Sequence, residues 1–205
     1  MEILVIKNGE FGNFVTNLLV EKKIASDMNF YVENYENLAQ RSSIEGFHYA
    51  ILLTESENYV QGQKLNELSY ESNVPWLQVT LDLATLLIGP ILKAEKDGCY
   101  SCYISRKRQS SQISNYIKGV QDHLAKIEPS SKGYLNEIGV IAEQFIYSIL
   151  NNFEAYENGL ILEYDFLYGQ IMRYEVQGVH ACRYCGAINN ENTRSYENIL
   201  YLINK

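Results

Sequence analysis

A chain of 205 residues, 46% hydrophobic and 20% charged, has an ordinary globular composition and enough length to bury a core without covalent staples. Its net charge of −8 repels phosphate, which argues against a nucleic-acid or membrane-surface binder. No stretch approaches the ~18 apolar residues of a membrane span, and the opening apolar run is too short for a signal peptide, so the expected setting is the reducing cytoplasm.

In chain order, Ile3-Leu4-Val5-Ile6 is a strand-length apolar run and Lys7-Asn8-Gly9-Glu10 a turn. Phe11, Val15, Leu18, Leu19 and Lys22 then recur at helical spacing, so the chain opens as a βαβ unit. Residues 29–32 form the next strand. His48-Tyr49-Ala50-Ile51-Leu52-Leu53 is apolar on both faces, as a central parallel strand requires. Val60, Lys64, Leu65 and Leu68 predict a short helix, and Trp76-Leu77-Gln78-Val79 a strand behind Pro75. Residues 1–96 thus read as a Rossmann-like half.

The second segment, residues 97–205, has a different texture. Ile113, Tyr116, Ile117, Val120, Leu124 and Ile127 share one helical face, capped by Ser110 or Ser111, and Pro129 to Gly133 breaks that pattern. Leu135, Ile138, Ala142, Phe145 and Ile149 mark another helix. Residues 160–167 and 171–176 flank Tyr168-Gly169-Gln170 as an antiparallel hairpin. The expected fold is α/β: a degenerate Rossmann-like mixed sheet with flanking helices and a C-terminal zinc-clamped subdomain, together one compact unit.

Cys99-Tyr100-Ser101-Cys102 and Cys182-Arg183-Tyr184-Cys185 account for every cysteine. The spacing C-x-x-C lets one tight turn aim two thiolates at one ion, and two such knuckles make a closed tetrahedral sulfur cage. A closed cage leaves no position for water, so the zinc it predicts is structural. Gly98 and Gly186 supply the flexible residues such turns favour. The knuckles are too far apart for a self-contained zinc ribbon, so the metal would join distant parts of one fold. Two redox pairs or buried free cysteines are the competing readings; a redox pair belongs at a helix N-terminus, where the sequence clearly places neither knuckle.

Other candidates are weaker. Lys7-Asn8-Gly9-Glu10-Phe11-Gly12 sits where a dinucleotide-binding turn would; Gly9 and Gly12 match its second and third glycines, but Lys7 replaces the first and Glu10 adds negative charge. The preferred reading is a Rossmann turn without nucleotide. Glu55 is either a metal-holding carboxylate of a nucleotide site or an ordinary strand-end acid. His48, His123 and His180 have no cysteine or serine partner at a recognisable spacing, and Arg106-Lys107-Arg108 reads as a solvated face before a local anion or partner site. No nucleophile–base pair or pair of catalytic carboxylates appears.

Pro75-Trp76-Leu77-Gln78-Val79, then Ile88-Gly89-Pro90-Ile91-Leu92, then Cys99-x-x-Cys102 and Arg106, resembles a stretch of the cyclodehydratase partner proteins of thiazole/oxazole-modified microcin biosynthesis. These are relatives of the ubiquitin-activating-enzyme-like superfamily that includes ThiF, MoeB and McbB proteins. Leu162-Glu163-Tyr164-Asp165 leading into His180-Ala181-Cys182-Arg183-Tyr184-Cys185-Gly186 is similar to that superfamily's second zinc knuckle. The resemblance covers most of the chain.

It implies a non-catalytic scaffold in ribosomal-peptide natural-product (bacteriocin) biosynthesis. Such a scaffold docks a YcaO-type cyclodehydratase, which consumes ATP to cyclise Cys, Ser or Thr residues of a precursor peptide, and with it a flavin dehydrogenase. It also implies pairing through Rossmann-like sheets, as a homodimer or a pseudo-symmetric heterodimer. An adenylating member carries the full glycine turn, an Arg and a Lys for the triphosphate, and an Asp for magnesium. Here Lys7 replaces the first glycine, only Glu55 stands near the Asp position, and no cysteine is left over as a nucleophile, so ATP is not expected. Residue 1 falls at the Rossmann strand, so a winged-helix leader-binding module is not expected either. An active adenylating enzyme and a stand-alone zinc-bound interaction module remain the alternatives.

Overall fold

The computed structural model describes residues 1–21, 27–57, 59–82, 84–94, 96, 98–110, 136–179 and 182–186. The helix expected over 113–127 and the break after it lie outside the described residues, as do Ser111, His123 and His180.

Strand β1 (Glu2–Lys7) leads into helix α1 (Gly9–Glu21), followed by β2 (Asn29–Asn34), α2 (Tyr35–Gln40), β3 (Tyr49–Glu55), α3 (Tyr59–Ser72) and β4 (Trp76–Asp82). Then come β5 (Thr85–Leu92), α4 (Tyr100–Ser110), α5 (Asn136–Asn151), a 3-10 turn (Phe153–Ala155), β6 (Leu160–Asp165) and β7 (Gln170–Glu175). All seven strands form one sheet in the order β2-β1-β3-β4-β5-β6-β7. β2, β1, β3 and β4 run parallel, and each later neighbour is antiparallel. Strands from both sides of residue 96 therefore share the sheet.

The apolar runs become central strands because both faces are covered. Ile3, Val5, Ile51, Leu53, Leu77 and Val79 face one layer, into which α1 and α5 pack. Leu4, Ile6, Ala50, Leu52 and Trp76 face the other, with Leu38 of α2, Leu65 and Leu68 of α3, and Tyr100 and Ile104 of α4. Every one of the strand residues just named is 0–1% exposed, and each such aliphatic side chain contributes about 1.5–3 kcal/mol by leaving water. The expected helix at 135–149 is α5, and the expected hairpin is β6–β7 with its turn at 166–169. Among the described residues no helix is long and apolar enough to cross a membrane.

Strand β5 was not marked by the sequence. Gly89 interrupts its pattern at φ +114°, ahead of the cis Gly89–Pro90 peptide. A Cβ there would stand 2.3 Å from the Leu160 carbonyl oxygen. At this point the pairing shifts register against both β4 and β6, so a break in the pattern marks a bulge and not the end of the strand.

Candidate metal centre

The two knuckles reach the same place from different kinds of backbone. Cys99 precedes α4 and its carbonyl accepts the Tyr103 N–H at 3.0 Å, so Cys102 lies in the helix's first turn. This corrects the expectation that neither knuckle clearly sits at a helix N-terminus: the first does, where the helix dipole favours thiolate. The second knuckle is a turn. Its Cys182 N–H bonds the Val179 carbonyl at 3.1 Å and the Gly186 N–H bonds the Cys182 carbonyl at 3.2 Å. Gly98 and Gly186, the flexible residues beside the knuckles, both have positive φ.

Helix position alone would leave a redox pair open; the positions of the sulfurs favour a metal. Cys99 Sγ lies 3.8 Å from Cys102 Sγ and 3.5 Å from Cys182 Sγ, and Cys102 Sγ lies 3.4 Å from Cys185 Sγ. Residues 83 positions apart are thus as close as residues three apart. All four sulfurs fall within 4.8 Å of one another. A disulfide would need about 2.05 Å, whereas ligands about 2.3 Å from a tetrahedral zinc stand roughly 3.8 Å apart. Cys99, Cys102 and Cys185 are buried and Cys182 is half-buried, so the cage is closed on most sides. Hydrogen bonds, the one from Cys99 foremost, hold the Cys102 thiol down to about 5, and the Val179 N–H adds to this from 3.2 Å. The bond to Cys102 and burial raise Cys99, and burial raises Cys185. The four cysteines can hold a metal ion, and the donor set and spacing fit zinc.

Both knuckles are seated on α3. Tyr184 donates to Glu67 Oε1 at 2.6 Å and meets Tyr70 edge-on, ring centroids 6.4 Å apart. Tyr100, fully buried against Trp76, gives its N–H to Asn66 Oδ1 at 3.1 Å. Arg106 of the basic run reaches the Gly178 carbonyl at 3.1 Å and ties α4 to the segment leading from β7 into the second knuckle.

At the other candidate site, β1 and β3 are the neighbours at which the strand order reverses, the place where open α/β sheets bind ligands. Lys7, Gly9, Gly12 and Glu55 all come together there. Gly12 lets α1 approach β3 closely: a Cβ would stand 3.2 Å from the Leu53 carbonyl oxygen. Glu55 is 3% exposed, and its Oε1 accepts the Phe11 N–H in the first turn of α1. At Gly9 a Cβ would stand 2.7 Å from the Glu55 carboxyl carbon. The chain's own carboxylate thus occupies a position at the helix N-terminus where a bound phosphate would accept backbone N–H groups. His48 is structural, its Nδ1 accepting the Glu2 N–H at 3.0 Å.

Glu57 escaped the sequence reading. It accepts the Tyr59 hydroxyl at 2.6 Å, the Tyr103 hydroxyl and the Lys107 ammonium. Burial raises both tyrosine hydroxyls above their usual range. This cluster borders a cavity of about 680 Å³ between α4 and β5–β7, lined among others by Asp82, Tyr103, Lys107 and Tyr174. Its signal was the second acid in Glu55-Ser56-Glu57.

No protein-family model matches the chain, and no curated protein matches its sequence. Solved structures do. A chain of the E. coli microcin synthetase McbBCD complex superposes with a TM-score of 0.67 at 12% identity, covering 89% of this chain and 67% of its own. The heterocyclase TruD gives 0.56 at 16% identity, and a heterocyclase in complex with substrate and cofactor gives 0.58 at 15%. The shared fold is that of these chains. Both heterocyclase matches cover 90% of this chain, which spans only 25% and 27% of theirs. E. coli MccB with ATP gives 0.58 at 13% identity.

Proposed function

We propose that the chain is a non-catalytic scaffold subunit of an azole-forming, peptide-modifying complex in the cytoplasm. Its partner would be a YcaO-type cyclodehydratase acting on a precursor peptide, with a flavin dehydrogenase as a further partner. The fold shared with a microcin synthetase chain and with heterocyclases supports the setting. The observation that carries the non-catalytic role is Glu55. A buried carboxylate already accepts an N–H of α1 at the switch point, so the turn offers a nucleotide phosphate repulsion where a binding turn offers donors. In this reading the four cysteines hold a structural zinc, which fixes the second knuckle against α3 and α4 and so shapes the surface partners bind.

The cavity beside Glu57 and the fold shared with MccB bound to ATP favour a second reading, an ATP-dependent adenylating enzyme. One experiment separates the two. The zinc-loaded chain is titrated with magnesium–ATP by calorimetry, then added to a YcaO-type enzyme and its precursor, and loss of water from the peptide is followed by mass spectrometry. The scaffold reading expects no heat of ATP binding by the chain alone and faster dehydration when the chain is present. Pyrophosphate exchange by the chain alone, dependent on precursor, would replace it with the adenylating enzyme.

A further inference from the structure

The four sulfurs of the cage are not equally reachable. Cys99, Cys102 and Cys185 are 5%, 0% and 7% exposed, whereas Cys182 is half-buried. Cys182 also lines a cavity of about 350 Å³ between α3, α4 and the second knuckle, and no other cysteine does. Gln63 of α3, Ser101 and Ser105 of α4 and Arg183 line the same cavity. Ser101 Oγ is buried and has no hydrogen-bond partner among the described residues, so the wall keeps a hydroxyl that a small polar molecule can use. Arg183, its guanidinium carbon 5.5 Å from the Tyr184 ring centroid, adds a positive charge. Reactive cysteines sit in such partly exposed, electropositive surroundings.

We propose that Cys182 is a site of oxidation by hydrogen peroxide, that Cys99 then closes a disulfide onto it, and that the cage gives up its metal as a result. The Cys182 thiolate attacks one peroxide oxygen; the O–O bond breaks, hydroxide leaves, and the sulfur becomes a sulfenic acid. The Cys99 thiolate, its sulfur 3.5 Å away, attacks that sulfur; the S–O bond breaks, a second hydroxide leaves, and the S–S bond forms. The two sulfurs lose two electrons and the peroxide gains them, while two protons from solvent turn both hydroxides into water. Closing the bond brings the sulfurs to about 2.05 Å, a movement that the turn of the second knuckle makes more easily than the buried start of α4. Cys102 Sγ and Cys185 Sγ are nearer still, at 3.4 Å, but both are buried, so access and not distance selects the first bond. With two of the four thiolates consumed, the closed cage that a structural zinc requires is gone. The inference rests on the zinc reading of the cage and is independent of the scaffold role.

The test uses the full chain loaded with zinc, its metal content measured first. Hydrogen peroxide is added in steps, released zinc is followed with a colorimetric chelator, and disulfides are mapped by mass spectrometry of unreduced peptides. Dimedone, present in a parallel brief exposure, marks the first sulfenic acid. The expected result is a dimedone label on Cys182, a Cys99–Cys182 disulfide formed in step with zinc release, and recovery of the metal with dithiothreitol and added zinc. Cys182→Ser would itself remove a sulfur of the cage, so access is tested at Ser105. Ser105→Trp fills the cavity, keeps the zinc and slows its release severalfold, with circular dichroism as the control for folding. The label and the disulfide decide the inference even where that variant misfolds. A first label or a first disulfide on other cysteines overturns it, as does zinc retained through the oxidation, or release from folded Ser105→Trp at the wild-type rate. A chain that takes up no zinc fails the zinc reading, and the inference falls with it; a zinc-loaded chain that oxidises elsewhere fails the inference alone.

Discussion

Gly62 of α3 carries no Cβ because Tyr100 of α4 lies where one would be, its Cζ 2.1 Å from the ideal position. Tyr100 is fully buried and is held at its N–H by Asn66, so it cannot swing aside cheaply. Gly62→Ala should therefore cost about 1–3 kcal/mol of stability, read as a lower urea midpoint; an unchanged midpoint would show that the α3–α4 contact yields. Asp82, at the end of β4, makes a pH-dependent case. Burial first, and Glu57's charge second, raise its carboxyl above the ordinary 3.8, with Lys107 opposing. The folded state then holds this proton more tightly than the unfolded state, so Asp82 stabilises the fold below 3.8 and loses that contribution as pH rises through the raised value. Asp82→Asn should be more stable than wild type at neutral pH, with the difference closing in acid. Equal urea midpoints for the two proteins at every pH would refute the buried-charge account.

Helix α4 and the turn carrying the second knuckle depend on each other through the sulfurs. The Val179 N–H bonds Cys102 Sγ at 3.2 Å, and Arg106 holds the Gly178 carbonyl. Stripping metal with a chelator should speed amide exchange at Val179, Cys182 and Gly186 first and leave β1 and β3 protected, because local stability follows local contacts. Uniform loss of protection would mean that the knuckles and the sheet open as one unit. How legible each element was has a physical pattern. β1, β3 and β4 are buried on both faces, so their sequences are continuous apolar runs, and α5 shows its buried face as Ile138, Ala142 and Ile149 at helical spacing. β5 was hidden because Gly89 and Pro90, which let it bulge past Leu160, look like a break. α4 was hidden because, apart from Cys102, only Tyr100 and Ile104 are buried on its first turns, while Ser101, Arg106, Lys107 and Arg108 make the segment read as polar. The four-cysteine cluster was legible from spacing alone; the Glu57 cluster was not, since its hydroxyl and ammonium partners come from α3 and α4, and only the fold unites them.

At the scale of the molecule, the four sulfurs join positions 83 residues apart at one end of a sheet that is otherwise held by apolar packing. A metal held there would bind the folded chain in preference to the unfolded one, so its binding free energy would add to folding free energy. Stability should therefore rise with free zinc, by about 2.7 kcal/mol at a hundredfold excess over the dissociation constant and by about 1.4 kcal/mol for each further tenfold. Cys185→Ser removes one of the four clustered sulfurs. Its melting temperature should respond far less to zinc and should approach that of chelated wild type, because what the variant loses is the linkage and not the sheet. The comparison separates two roles for the cysteines. If they serve only as buried apolar side chains, serine destabilises the fold by the same amount with and without zinc, and wild type shows no metal dependence. If they are ligands, the difference between variant and wild type grows with free zinc and nearly vanishes in chelator.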